Sequence, residues 1–205
     1  MHKLDTLFLD RDGVINVKLD GQYVKNTDEF DFIKGSEIAI SKLSKIFNRI
    51  LIVTNQQGIA KGIMSDKDLG VLHEYMLFEL KKNGGIIQKI YYCPHLAAES
   101  CNCRKPNPGL IQQAMIDFPE IKLAQSYLIG DSDTDIIAGK SHDSGEWFFP
   151  MGGTEELYGK TQWIYWGKAE YPYFDMDNPL ILPTNYDFFG TDDLISKGLS
   201  STMDI

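Results

Sequence analysis

The sequence predicts an α/β fold, a three-layer Rossmann-like parallel sheet with helices on both faces. Three observations predict it. Short unbroken apolar runs recur along residues 1–140, segments of helical periodicity lie between them, and each run ends on a residue able to do chemistry. Runs without alternation suit parallel strands buried on both faces. Alternation of strands with helices predicts a parallel sheet, and ligands bind such sheets outside the carboxyl ends of the strands.

The elements follow in order. Thr6-Leu7-Phe8-Leu9 is the first strand and stops at Asp10. Ser36 is expected to cap a helix with Ile40, Leu43 and Phe47 at helical spacing. Ile50-Leu51-Ile52-Val53 is the second strand and stops at Thr54. Ser65 caps a second helix, whose stripe is Leu69, Leu72, Met76 and Leu80 and after which Gly84-Gly85 follow. Lys89-Ile90-Tyr91-Tyr92 is the third strand and stops at Cys93. Asn107 and Pro108 read as a cap followed by proline at the first helical position. That helix carries Ile111, Met115 and Phe118 and is stopped by Pro119. Tyr127-Leu128-Ile129 runs into Gly130-Asp131, and Trp147-Phe148-Phe149-Pro150 is expected to be a fifth strand.

Residues 1–150 are expected to form one domain, and residues 151–205 an extension packed on it. The extension holds ten aromatics and carries three Lys, no Arg and nine Asp plus Glu. Its aromatics offer enough apolar surface to pack, and Pro172, Pro179 and Pro183 break any long helix. Asp192-Asp193-Leu194-Ile195 is expected to start a short terminal helix. The whole chain has a net charge of −9, which argues against a nucleic-acid binder with its basic footprint. An anionic substrate then needs local cations or a metal. No apolar run is long enough for a signal peptide or a membrane span, so the expected location is the cytoplasm.

The strand ends carry the chemistry. Asp10-Arg11-Asp12-Gly13-Val14 follows the first strand, and a loop that curls back can bring the Asp10 carboxylate and the Asp12 backbone carbonyl around one cation. Asp131 can add a second carboxylate. Oxygen ligands with open water positions suit Mg²⁺. Asp10 is then a plausible nucleophile. Asp12, two residues on, can protonate a leaving oxygen and later deprotonate water. Thr54 offers a hydroxyl and Lys105 a fixed charge for a developing anion. A lone Asp at a strand end is ordinarily a helix cap or a solvated loop group; Asp10, Asp12, Thr54, Lys105 and Asp131 together are a constellation.

All three cysteines lie within eleven residues, as Cys93-Pro94-His95 and Cys101-Asn102-Cys103. With His95 they form a set able to wrap a tetrahedral Zn²⁺. A disulfide with one spare thiol, or three free thiols, also fits the spacing. The loop 93–103 runs straight into Arg104-Lys105, so a metal knot there would fix two cations beside the site. His2, His73 and His142 have no such company and read as surface or packing residues.

Leu9-Asp10-Arg11-Asp12-Gly13-Val14-Ile15-Asn16, Val53-Thr54-Asn55-Gln56-Gln57-Gly58, Arg104-Lys105-Pro106 and Ile129-Gly130-Asp131-Ser132-Asp133-Thr134-Asp135 resemble, in order, the four motifs of the haloacid dehalogenase superfamily. The resemblance spans about residues 4–140 and is closest to the branch that joins heptose bisphosphate phosphatases and histidinol-phosphatases. It implies a Mg²⁺-dependent phosphatase with a minimal cap and an aspartyl-phosphate on Asp10. Asp12 would be the acid/base, and Asp10, Asp12 and Asp131 would hold Mg²⁺. Thr54, Asn55 and Gln56 would meet the phosphate with Lys105, Arg104 would touch the substrate, and Asp135 would support the site. The resemblance also implies a zinc loop on Cys93, His95, Cys101 and Cys103, and a monomer acting on a small phosphorylated metabolite. The expected substrate is the 7-phosphate of a heptose 1,7-bisphosphate, with histidinol phosphate as the alternative. A phosphorylatable receiver would place its Lys after its phosphorylated Asp; here Lys105 precedes Asp131. A non-catalytic binding module would not need every catalytic residue type.

Overall fold

In the computed structural model of the protein, residues 3–140, 146–151 and 162–166 are described. The expected terminal helix at 192–195, the packing of the last residues on the domain, His2 and His142 lie outside them. β1 (Leu4–Leu9), β2 (Phe47–Asn55), β3 (Lys89–Cys93), β4 (Tyr127–Ile129), β5 (Glu146–Met151) and β6 (Gln162–Trp166) form one sheet in the order β3-β2-β1-β4-β5-β6. β1 to β5 are parallel and β6 is antiparallel to β5. α1 (Ser36–Ile46), α2 (Asp66–Lys82), α3 (Gly109–Asp117) and α4 (Asp133–Lys140) fill the crossovers.

The unbroken apolar runs bury both faces, as expected. Leu7, Leu9, Ile50 and Ile52 pack with Ile40 and Leu43 of α1 and Leu69, Leu72, Met76 and Leu80 of α2. Their neighbours Phe8, Leu51, Val53 and Leu128 point the other way, onto Leu110, Ile111 and Ala114 of α3. Alternate residues of one strand thus serve opposite helical layers. α2 starts at a reciprocal cap: the Asp68 N–H donates to Ser65 Oγ at 3.1 Å and the Ser65 N–H to Asp68 Oδ2 at 2.9 Å.

Three expectations need correction. Ser36 does not cap α1. It is the first helical residue, and its buried hydroxyl donates to the Ile15 carbonyl at 2.9 Å, while Gly35 takes the cap position. Phe47 leaves the helix to open β2, where its ring meets Tyr127 edge-on. At α3 the cap position falls on Pro108. Asn107 instead donates to the Cys101 carbonyl at 2.7 Å, tying the helix start to the cysteine loop. Beyond the expected boundary at residue 150, residues 162–166 pair with β5 from Trp147↔Trp166 to Met151↔Gln162. The aromatic and β-branched content of Gln162–Trp166 favours a strand, and an antiparallel edge on a parallel sheet is common. No described helix is long and apolar enough to cross a membrane.

Sequence order reverses between β1 and β4, because β2 and β3 lie on one side of β1 and β4 and β5 on the other. That switch point opens a crevice at the strand ends. Asp10 follows β1 there and Asp131 follows β4.

Candidate active site

The Asp10 N–H donates to the Ile129 carbonyl at 2.8 Å, so the β1–β4 ladder extends to Asp10 itself. The chain then turns sharply: the Arg11 carbonyl accepts from Ile15 N–H at 2.8 Å and Asn16 N–H at 3.2 Å. Gly13 makes this possible with φ of 89°. A Cβ at Gly13 would lie 2.3 Å from Asp131 Oδ2, so glycine is what lets the turn and the second carboxylate share one space.

Asp10, Asp131 and Asp135 each offer an oxygen, all within 4.8 Å of one another. Lys105, only 3% exposed, enters this cluster. Its ammonium lies 3.0 Å from Asp10 Oδ1, 2.5 Å from Asp135 Oδ1 and 2.7 Å from the Val53 carbonyl. Asp135 Oδ2 accepts from the Ser132 hydroxyl at 2.6 Å and the Ser132 N–H at 3.2 Å. Asp135 therefore holds Lys105 in place. Asp131 Oδ2 pairs with Lys18 at 2.6 Å, while its Oδ1 is buried with no hydrogen-bond partner. Burial pushes Asp10 up to about 7; Asp135, Asp12 and Asp131 add to that push and Lys105 opposes it. Burial raises Asp131 as well, against the pull of Lys18. Crowded carboxylates with an orphaned oxygen fit a hard divalent cation, which reverses such shifts.

Asp12 is not among those grouped oxygens. Arg11, 1% exposed, grips its carboxylate through Nη2 at 2.8 and 2.9 Å and Nε at 3.2 Å. Asn16 donates to it at 3.0 Å and Gln56 at 2.8 Å. Burial would raise Asp12, but the guanidinium and the amide donors outweigh it and hold Asp12 below the usual carboxylate range. Arg11 is thus a brace for Asp12 rather than a group at the cavity centre. The Asp12 side chain is committed to these donors, leaving its backbone carbonyl as its candidate contribution to a metal.

The cavity at the strand ends measures about 440 Å³ and is walled by Asp10, Asp12, Thr54, Asn55, Lys105 and Asp131. The expected catalytic residues are therefore brought together. Asn55 also clasps the lysine backbone, since its amide accepts from the Lys105 N–H and donates to the Lys105 carbonyl, both at 3.0 Å. Gln56 is buried and absent from the cavity wall. Its amide donates to Thr54 Oγ1 at 3.0 Å as well as to Asp12, so it positions both. Lys18, Tyr23 and Lys61, none of them in the strand-end constellation, also line the cavity beside Arg104. Lys61 donates to the Tyr23 hydroxyl at 2.7 Å. These come from loops, so reasoning from strand ends does not find them.

Cys93, His95, Cys101 and Cys103 converge in the loop before Arg104. The Sγ of Cys103 lies 2.8 Å from that of Cys93, 3.5 Å from that of Cys101 and 3.1 Å from His95 Nδ1. The cysteines form no disulfide. Burial pushes the Cys93 and Cys103 thiols up; at Cys101 the same push is outweighed by hydrogen bonds from the other two sulfurs, leaving it at about 7. Three sulfurs and one ring nitrogen this close are a donor set for a tetrahedral ion. Arg104, at the loop's end, donates to the His95 carbonyl at 3.5 Å.

An aspartate at a strand end, a second acid two residues on, and a lysine between that aspartate and a third carboxylate are the arrangement of a hydrolase of the haloacid dehalogenase-like class. Residues 102–146 match the profile of the HAD-hydrolase-like family. The D-glycero-alpha-D-manno-heptose-1,7-bisphosphate 7-phosphatase of Mycobacterium bovis is 40% identical over 130 residues, 63% of this chain and 68% of that protein. The D-glycero-beta-D-manno-heptose-1,7-bisphosphate 7-phosphatase of Salmonella typhi is 36% identical over 176 residues, 81% of this chain and 92% of that protein. The crystal structure of D,D-heptose 1,7-bisphosphate phosphatase from B. bronchiseptica, complexed with magnesium and phosphate, superposes with a TM-score of 0.63 at 34% identity. It covers 67% of this chain and 76% of that one. The chain belongs to the heptose-1,7-bisphosphate 7-phosphatase family of phosphomonoester hydrolases.

Proposed function

We propose that this chain removes the 7-phosphate of D-glycero-D-manno-heptose 1,7-bisphosphate through an aspartyl-phosphate on Asp10. The observation that carries the chemistry is Asp10 at the sheet's switch point, 3.0 Å from a buried Lys105 and beside a carboxylate with an orphaned oxygen. The substrate rests on the family relatives and on Lys18, Lys61 and Arg104 around the cavity, which suit a second phosphate.

Lys105, Thr54 and Asn55 hold the phosphoryl oxygens while the Asp10 carboxylate attacks phosphorus. Asp12 gives its proton to the leaving sugar oxygen, then takes one from the water that cleaves the aspartyl-phosphate. Asp12 is ionised in the free site, so it takes up that proton as the substrate phosphate, a neighbouring anion, raises its affinity for it. Mg²⁺ held by Asp10, Asp131 and the Asp12 backbone carbonyl would neutralise phosphoryl charge. Asp135 serves by fixing Lys105. The three free thiols suit the reducing cytoplasm, and we read the enzyme as acting as a monomer.

The test is phosphate release with Mg²⁺ from both anomers of the heptose bisphosphate, the heptose 7-phosphate and histidinol phosphate. The bisphosphate should exceed the monophosphates in kcat/KM by at least about tenfold, equivalent to one charge-assisted contact. A preference for histidinol phosphate would overturn the substrate assignment.

We further propose that Cys93, His95, Cys101 and Cys103 hold a structural Zn²⁺ that anchors Arg104. Purified protein should contain about one zinc per chain. Its removal by a chelator should lower the melting temperature and raise KM more than it lowers kcat, because Arg104 leaves the cavity wall while Asp10 stays on the sheet.

A further inference from the structure

The support of Asp12 does not end at Arg11. One edge of the guanidinium, Nε with Nη2, is spent on the Asp12 carboxylate. The remaining nitrogen, Nη1, lies 3.4 Å from His73 Nε2. Arginine only donates, so His73 Nε2 is the acceptor and the ring is held as the Nδ1–H tautomer. His73 sits on the buried face of α2, 7% exposed, in line with Leu69, Leu72 and Met76 of the core. The ring of Tyr92 meets it edge-on at 6.0 Å, and the Tyr92 hydroxyl is fixed by Asp66 at the start of the same helix, 3.0 Å away. Both of these contacts restrain the imidazole plane.

We infer that His73 is a positioning residue for the acid/base: it accepts from Arg11 and so fixes the plane in which the guanidinium presents two donors to Asp12. This rests on the role of Asp12 proposed above. The logic is one of counting donors. A guanidinium fork is rigid, so fixing its third nitrogen fixes the direction of the other two. A buried donor left without an acceptor would tilt to find one, and Asp12 would tilt with it. The acceptor role requires a neutral ring. Burial, with the Arg11 charge beside it, lowers the imidazole to about 3, so the ring is neutral across the working range. The Arg11 charge thus helps to keep the ring an acceptor. No other acceptor for Arg11 Nη1 is found among the described residues. A residue that merely filled space on α2 would need no nitrogen at this point.

Two variants separate the acceptor from the packing. His73→Leu keeps an apolar group and removes the acceptor, whereas His73→Gln restores an acceptor oxygen. In His73→Leu, kcat should fall by about tenfold or more, part of the gain that a placed acid/base supplies, with KM within about twofold, since Asp12 does not bind ground-state phosphate. Formation and hydrolysis of the aspartyl-phosphate both use Asp12, so release of sugar and of phosphate should fall together. His73→Gln should return kcat to within about threefold of the parent. Equal losses in both variants, or parental kcat in His73→Leu, would overturn the inference. Should His73→Leu melt before assay temperature, His73→Phe keeps a ring without an acceptor and carries the same expectation. Asp12→Asn is run in parallel. If Asp12→Asn abolishes turnover while His73→Leu keeps parental kcat, this inference alone fails; if Asp12→Asn turns over normally, the acid/base reading beneath it fails too.

Discussion

Asp10→Asn is expected to lower phosphate release by at least about 10⁴-fold, the scale on which removal of a covalent nucleophile acts. Asparagine has nearly the same shape. Its oxygen can still accept from the Arg11 N–H, which meets Asp10 Oδ1 at 2.7 Å, so the loop after β1 should keep its form. What disappears is the negative charge that attacks phosphorus. Stability is expected to move the other way. The carboxyl of Asp10 is pushed up to about 7 by burial and neighbouring carboxylates, which means the ionised group is disfavoured in the folded site. Without metal, the variant should melt at or above the parental temperature near neutral pH. A melting temperature well below the parent, or activity within tenfold of it, would remove Asp10 from its role.

Lys105→Met is expected to damage both activity and stability. The lysine ammonium is the shared partner of Asp10 and Asp135 and also meets the Val53 carbonyl. Methionine fills similar space but leaves two buried carboxylates facing each other. Breaking a buried ion pair by removing one partner costs about 3–5 kcal/mol, so denaturation should shift by that order. Losing a preorganised donor to the phosphoryl oxygens should lower kcat by about 10²- to 10³-fold. The stability loss distinguishes Lys105 from a residue that only greets substrate. A variant as stable as the parent would show that Asp10 and Asp135 do not need this cation.

Asp10 and Asp131 were legible because strands of unbroken apolar residues end on them, and the sheet's crossover rule brings those ends together. Thr54 and Lys105 were legible as strand-end and loop-end groups in motif order. The convergence of Cys93, His95, Cys101 and Cys103 was legible from their spacing within eleven residues, although a disulfide or free thiols fitted that spacing as well. The division of labour among the acids was harder to see. Nothing local says that Asp12 will be gripped by its neighbour Arg11, or that Arg11 will lean on a helix sixty-two residues later. Lys18 reaches Asp131 across 113 positions, and its own segment has no strand-end signal. Ser36 satisfied every local rule for a cap yet serves Ile15, because burial offered its hydroxyl a closer acceptor. The edge strand Gln162–Trp166 was obscured by the aromatic composition that surrounds it, which reads as packing before it reads as pairing.

The hydrogen bond from the Asp10 amide to Ile129 has an evolutionary reading. It stitches the proposed nucleophile into the sheet, whereas the groups that would greet the rest of the substrate, Lys18, Tyr23 and Lys61, hang from loops. On the proposed roles, reactivity and selectivity are written in separate parts of the chain. Descendants could exchange one sugar for another by redrafting those loops while inheriting the reaction unaltered.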